Sequence, residues 1–198
     1  MCGLIRSRAR RWNRGDTLSK QMDIQTHAEA AGSKYALYQQ ICEQLNGLLG
    51  DEQDFIANAA NTAALLFHSL PDVNWVGFYT TEGQDLVLGP FQGKPACARM
   101  PFGRGVCGAA AAKRKTIVVP DVNRFSGHIA CDTASQSEIA VPLLNWGKLL
   151  GVLDIDSPSL DRFDEDDREG LESVVAVFLA SQVTGDLPDL SDYAASQS

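Results

Sequence analysis

Residues 137–156 read SEIAVPLLNWGKLLGVLDID, a pattern of two short strands joined by a turn. Ile139, Val141 and Leu143 recur at every second position, as expected of a strand with one buried face. Asn145-Trp146-Gly147 has the chemistry of a tight turn, and residues 148–156 return as the second arm of a hairpin. Asp154 and Asp156 stand two apart in that arm, so both side chains point to the same side of it. Taken alone they read as a solvated strand end. Pointing inward, they would need compensation, because an uncompensated buried carboxylate is costly.

Working outward, the same strand chemistry recurs. Residues 74–81 (NWVGFYTT) and 85–91 (DLVLGPF) are β-rich runs joined by Glu82-Gly83-Gln84, a second hairpin signal. Residues 97–102 make a poor strand that leads into a short Ala-rich helix over 106–113. Residues 116–119 are β-branched and stop at Pro120, and residues 123–137 form a long loop of the length that function often occupies. Upstream, residues 33–49 place Tyr35, Tyr38, Ile41, Cys42, Leu45 and Leu48 at helical spacing, with Ser33 as N-cap and Gly50 as stop. Residues 51–70 follow with acids in the first turn and Phe55, Ile56, Ala59, Ala63, Leu66, Phe67 and Leu70 on one face. Downstream, Asp164 caps a helix of about 20 residues whose acidic first turn suits the helix dipole. The expected fold is α+β: a central, mainly antiparallel sheet of five to six strands, two N-terminal helices and a closing C-terminal helix.

The 198 residues are 44% hydrophobic, enough for one buried core. No apolar run reaches the ~20 residues that cross a bilayer. Residues 1–20 hold six basic side chains and one acid, a net +5 within a total of −8, which leaves −13 on residues 21–198. An acidic body argues against nucleic acid or an anionic membrane as partner. Residues 1–21 read as a basic, disordered extension, residues 33–183 as the domain, and residues 185–198 as a polar tail. With no secretory signal the expected compartment is the cytoplasm, although an Arg-rich, acid-poor head also fits organellar targeting.

The chain has five cysteines. In a reducing compartment, close cysteines suggest metal binding or redox chemistry rather than structural bridges. Cys2 lies in the basic head and Cys42 in a helical pattern, as a packing residue. Cys97, Cys107 and Cys131 instead fall within 35 residues of loop-like sequence, where thiols stay accessible. Gly103-Arg104-Gly105-Val106-Cys107-Gly108 fits the dinucleotide-binding fingerprint, but the helix after it is too short for a ~30-residue βαβ unit. Those glycines read better as a tight loop that presents Cys107. Cys97, Cys107, His128 and Cys131 are zinc-ligand types, yet their spacing lacks paired knuckles. Redox chemistry asks for less: one activated thiolate, a second thiol within reach, and an acid. Cys131 supplies a thiol, Cys97 and Cys107 are candidate partners, and Glu138, Asp154 and Asp156 are the nearby acids.

These residues also carry a resemblance. NWVGFY at 74–79, LVLGPFQGK at 86–94, GRGVCG at 103–108, GHIACD at 127–132, SEI at 137–139 and GVLDIDS at 151–157 together resemble the free methionine-(R)-sulfoxide reductases. Those are small, stand-alone GAF-domain enzymes, and the resemblance spans roughly residues 33–183. It implies a GAF-like fold and reduction of the free amino acid methionine-(R)-sulfoxide. It implies Cys131 as nucleophile, Cys97 as resolving cysteine and Cys107 as an auxiliary thiol in disulfide exchange. Trp75 and Tyr79 would hold the substrate methyl group, while Glu138, Asp154 and Asp156 would bind its polar end, with Glu138 and Asp154 assisting proton transfer. No bound cofactor or metal is implied, a thioredoxin-type dithiol would be the external reductant, and a homodimer is left open. The rival reading is a ligand-sensing GAF module without chemistry, which would not be expected to carry all three cysteines.

Overall fold

The computed structural model describes residues 33–127 and 134–182. The first helix, α1 (Lys34–Leu49), starts at Ser33, whose hydroxyl accepts the Ala36 N–H, and stops at Gly50, whose positive φ of 51° suits glycine. The second, α2 (Phe55–Ser69), starts at Asp54, which caps the Ala57 N–H. Acids expected inside its first turn therefore lie ahead of it, where Glu52 binds the amides of Gln53 and Asp54. The buried stripes are Tyr38, Ile41, Leu45 and Leu49 on α1 and Phe55, Ala59, Ala63 and Leu66 on α2. Tyr35 and Ile56, both expected in those stripes, are exposed. Ile56 stands one residue, about 100°, round from Phe55 and so misses the core.

The strands are β1 (Trp75–Glu82), β2 (Asp85–Gly93), β3 (Arg99–Pro101), β4 (Ile117–Val119), β5 (Ser137–Asn145) and β6 (Lys148–Ser157). They form one six-stranded sheet in the order β3-β2-β1-β6-β5-β4, with every neighbouring pair antiparallel. The α+β expectation is met, and both hairpins turn where expected. Helix α3 (Gly105–Lys113) has nine residues and connects β3 to β4, the two edges of an all-antiparallel sheet, so the dinucleotide fingerprint at 103–108 has no parallel crossover behind it. The closing helix, α4 (Glu165–Ser181), has 17 residues and begins with a reciprocal capping box between Asp164 and Asp167.

The sheet separates two cores. One face carries Val76, Phe78, Ile139, Val141, Leu143, Leu153 and Ile155 against α1, α2 and α4. The other carries Trp75, Tyr79, Leu86, Ala140 and Val152 against α3, with Val106, Cys107, Ala110 and Ala111 packed inward. Three helices thus stabilise one side and leave the other to α3 and the loops. No helix among the described residues is long and apolar enough to cross a membrane.

One polar lock ties α1 to α4. Asp167 is 1% exposed and accepts from Lys34 Nζ at 2.6 Å, Arg162 Nη1 at 3.1 Å and Tyr38 Oη at 2.8 Å. The Arg162 head is itself mostly covered, and its Nε donates to the Pro71 carbonyl. Removing the carboxylate would leave a buried guanidinium without its counter-charge. Asp167→Ala is therefore expected to cost about 3 kcal/mol, read as a lower urea midpoint at unchanged slope.

Candidate active site

Cross-strand register on β1, β6 and β5 builds the site in rows. Trp75 lies opposite Asp156 and Asp156 opposite Glu138; in the next row Gly77 lies opposite Asp154 and Asp154 opposite Ala140. Because side chains alternate along strands, Trp75, Tyr79, Glu138, Asp154 and Asp156 all leave the sheet on the α3 side. The sequence motifs that contain them lie far apart in the chain, and the register brings them together.

Trp75 lies flat along this wall. A Cβ on Gly77 would come within 2.3 Å of the Trp75 ring and 2.5 Å of Phe91 Cβ, so this position must be glycine. The indole stacks on Phe91 at 5.5 Å and Tyr79 at 5.9 Å between ring centroids, and its Nε1 donates to the Lys94 carbonyl at 3.0 Å. Phe91 and Gly77 belong to the site, although neither was singled out as a site residue. The available signal was an aromatic residue on a strand expected to pair with the one that carries Gly77.

Cys107 is not the exposed loop thiol that its Gly-rich surroundings suggested. It lies in the first turn of α3 and is 1% exposed. Gly108 explains the burial: a Cβ there would lie 2.5 Å from the Pro101 carbonyl oxygen, so the helix start packs directly on β3. The Cys107 thiol donates to Glu138 Oε1 at 3.7 Å. Cys107, Glu138 and Asp154 each offer an atom, all within 4.8 Å of one another. Glu138 and Asp154 are buried, and Asp154 Oδ1 has no hydrogen-bond partner. The solvated strand end is thus excluded for Asp154, while Asp156 is half-buried at the rim.

Burial sets the proton inventory. It pushes the Asp154 carboxyl up to about 6, against the opposing hydrogen bonds from Cys107, Glu138 and the Ile155 backbone. It holds the Glu138 carboxyl well above the usual range, with the Asp154 and Asp156 charges adding to the shift. The Cys107 thiol is raised for the same reasons, burial first and then Asp154 and Glu138. Tyr79 is also raised, by burial and then by Asp154. The cluster therefore keeps protons at neutral pH and can deliver one to a basic oxygen.

Cys97 packs against the same core and is disulfide-bonded, and Tyr79 Oη donates to its carbonyl at 3.2 Å. Neither of the other described cysteines is its partner, since Cys42 and Cys107 are both free. Cys42 packs on the helical core, as its position in α1 suggested. Cys2, Cys131 and His128 lie outside the described residues, as do residues 1–21 and 185–198. Within the described part, the structure brings together Trp75, Tyr79, Cys97, Cys107, Glu138, Asp154 and Asp156.

The chain matches the GAF domain family over residues 36–183. It is 59% identical to Protein YtsP of Bacillus subtilis, over 71% of this chain and 88% of that one. It is 50% identical to the free methionine-R-sulfoxide reductase of Escherichia coli, over 73% of this chain and 87% of that one. The structure resembles the free methionine-R-sulfoxide reductase of Neisseria meningitidis in complex with its substrate, with a TM-score of 0.74 and 47% identity. That likeness covers 77% of this chain and 92% of the other.

The raised carboxyls have a consequence for stability. A folded-state carboxyl at about 6 against an ordinary 3.8 stabilises the fold below the ordinary value, and that contribution is lost as pH rises through about 6. Asp164, held down to about 2 mainly by its hydrogen bond from Lys34, acts in the opposite sense and only at more acid pH. Between about pH 4 and 7 the melting temperature should therefore fall as pH rises, from a loss on the order of 3 kcal/mol at Asp154. Asp154→Asn should flatten that slope in thermal melts across the same window.

Proposed function

This chain belongs to the GAF domain family, on its free methionine-R-sulfoxide reductase branch, and we propose how its residues carry out that reduction. The substrate is the free amino acid, L-methionine-(R)-S-oxide. The Cys131 thiolate attacks the sulfoxide sulfur while a protonated carboxyl, Glu138 or Asp154, gives its proton to the sulfoxide oxygen. That oxygen ends on Cys131 as a sulfenic acid, and methionine departs as the thioether. The substrate sulfur gains two electrons and the Cys131 sulfur loses two. Cys97 then condenses with the sulfenic acid, an S–S bond forms and water leaves. A thioredoxin-type dithiol exchanges with this disulfide and returns both cysteines to thiols. No bound cofactor takes part in these steps.

The observation that carries this reading is the pairing of an aromatic wall with a proton-bearing acid cluster on one face of β1, β6 and β5. Trp75 and Tyr79, backed by Phe91, suit a sulfonium-like methyl group. Asp156 at the rim and Asp154 below it suit the substrate ammonium, whose charge offsets their burial. The Cys97 disulfide supports a resolving role for that residue, and a ligand-sensing module without chemistry leaves it unexplained. The burial of Cys107 ranks its part in exchange below that of Cys97, because a thiol must be exposed to exchange.

The test is NADPH oxidation coupled through thioredoxin reductase and thioredoxin, with free L-methionine-(R)-S-oxide and its N-acetyl derivative compared. The acetyl group removes the ammonium charge and leaves a buried carboxylate unpaired, so kcat/KM should fall by about 100-fold or more. Equal turnover of the two substrates would exclude recognition of a free amino acid. Cys131→Ser should abolish turnover with the fold intact. Cys97→Ser should still release methionine in a single turnover but recycle poorly, and full steady-state activity in that variant would move the resolving role elsewhere.

A further inference from the structure

We propose that Cys107, Glu138 and Asp154 form a binding site for a thiophilic divalent cation of the zinc class. The three ligands come from three regular elements, α3, β5 and β6, so their relative positions are fixed by the fold. Their donor atoms lie within 4.8 Å of one another, and Cys107 Sγ stands 3.7 Å from Glu138 Oε1. A tetrahedral ion with metal–sulfur and metal–oxygen bonds of about 2.3 and 2.0–2.2 Å needs a sulfur–oxygen separation of about 3.6 Å. The hydrogen-bonded separation of Cys107 and Glu138 therefore also suits two ligands on one ion, without movement of either element. A second observation is independent of this spacing: Asp154 is 6% exposed, and its Oδ1 is buried without any hydrogen-bond partner. A buried carboxylate oxygen in that position gains more from a cation than from any other ligand.

The donor set decides which cation. One thiolate with two carboxylates suits a borderline-soft ion, whereas Mg²⁺ prefers an octahedron of oxygens and keeps its waters. Three protein ligands leave the fourth tetrahedral position for water or another small ligand, as in zinc sites that are not closed by the protein. Binding displaces the protons that the thiol and carboxyls otherwise hold, and no electron transfer is involved. The site is also separate from the thiol pair that does the redox work. Cys107 is free while Cys97 is disulfide-bonded, so the three ligands remain available in the disulfide form of the protein. A cation held there would occupy the place of the substrate ammonium and act as an inhibitor. That consequence rests on the function proposed above, whereas the binding itself does not.

The experiment uses the full chain in its disulfide form, dialysed to equilibrium against Co²⁺ as a spectroscopic stand-in for zinc, with Mg²⁺ as a comparison. About one Co²⁺ per chain should bind, with a thiolate-to-cobalt charge-transfer band that Zn²⁺ then displaces. Mg²⁺ should not compete. Cys107→Ser should abolish the band, Cys42→Ser should keep it, and Asp154→Asn should weaken binding at least tenfold, with folding of each variant checked by circular dichroism. If Cys107→Ser fails to fold, the Asp154→Asn affinity decides the matter. Sub-stoichiometric binding, a band that survives Cys107→Ser, or unchanged affinity in Asp154→Asn would each overturn the site. None of those results would touch the reductase reading, which stands on turnover.

Discussion

Two carboxyl groups, Glu138 and Asp154, are buried on adjacent strands beneath the first turn of a helix, with a thiol against them. Bare carboxylates could not remain there, so the site must hold protons or a cation at all times. The rest of the site follows from that requirement. In the proposed function, protons held there make the cluster an acid, and the same burial gives the substrate ammonium a charge to neutralise. Cys107 is held as a thiol by the same surroundings, so it shapes the proton inventory and is a poor choice for a first nucleophile.

The sheet keeps this demand apart from stability. Its other face is filled by α1, α2 and α4 around Phe55, Phe78 and Phe178, whose rings meet edge-on or tilted at 4.9 to 6.4 Å. Asp167 locks α1 to α4 through Lys34, Arg162 and Tyr38 on that side. A fold anchored there can tolerate buried acids on the other face, which α3 covers in place of three helices.

The strands and both hairpins were legible because alternation and turn residues are local signals, and so were the caps at Ser33 and Asp164, whereas the cap at Asp54 was hidden among the acids of residues 51–54. The acids of the site were legible as residue types near strand ends, and Trp75 and Tyr79 only through the family resemblance. Their assembly was not, because it depends on cross-strand register: Trp75 faces Asp156, and Asp156 faces Glu138. Cys107 was misread as accessible for a related reason. Glycines 103 to 108 look like a loop in sequence, but Gly108 serves close packing of α3 on β3, a tertiary contact that no local pattern records. Ile56 was placed in a buried stripe because its hydrophobicity was counted without its angle round the helix. The fold of the described residues was thus largely readable, whereas the depth of the site was not.

The chemistry proposed for this site requires a carboxyl that stays protonated at neutral pH. Infrared difference spectroscopy on the reduced, metal-free protein can observe it directly, through the carbonyl stretch of a protonated carboxylic acid and its shift in D₂O. That band is expected at neutral pH in the wild-type protein, with its loss in Glu138→Gln. A spectrum in which every carboxyl is ionised at neutral pH, with the band appearing only in acid, would contradict that chemistry.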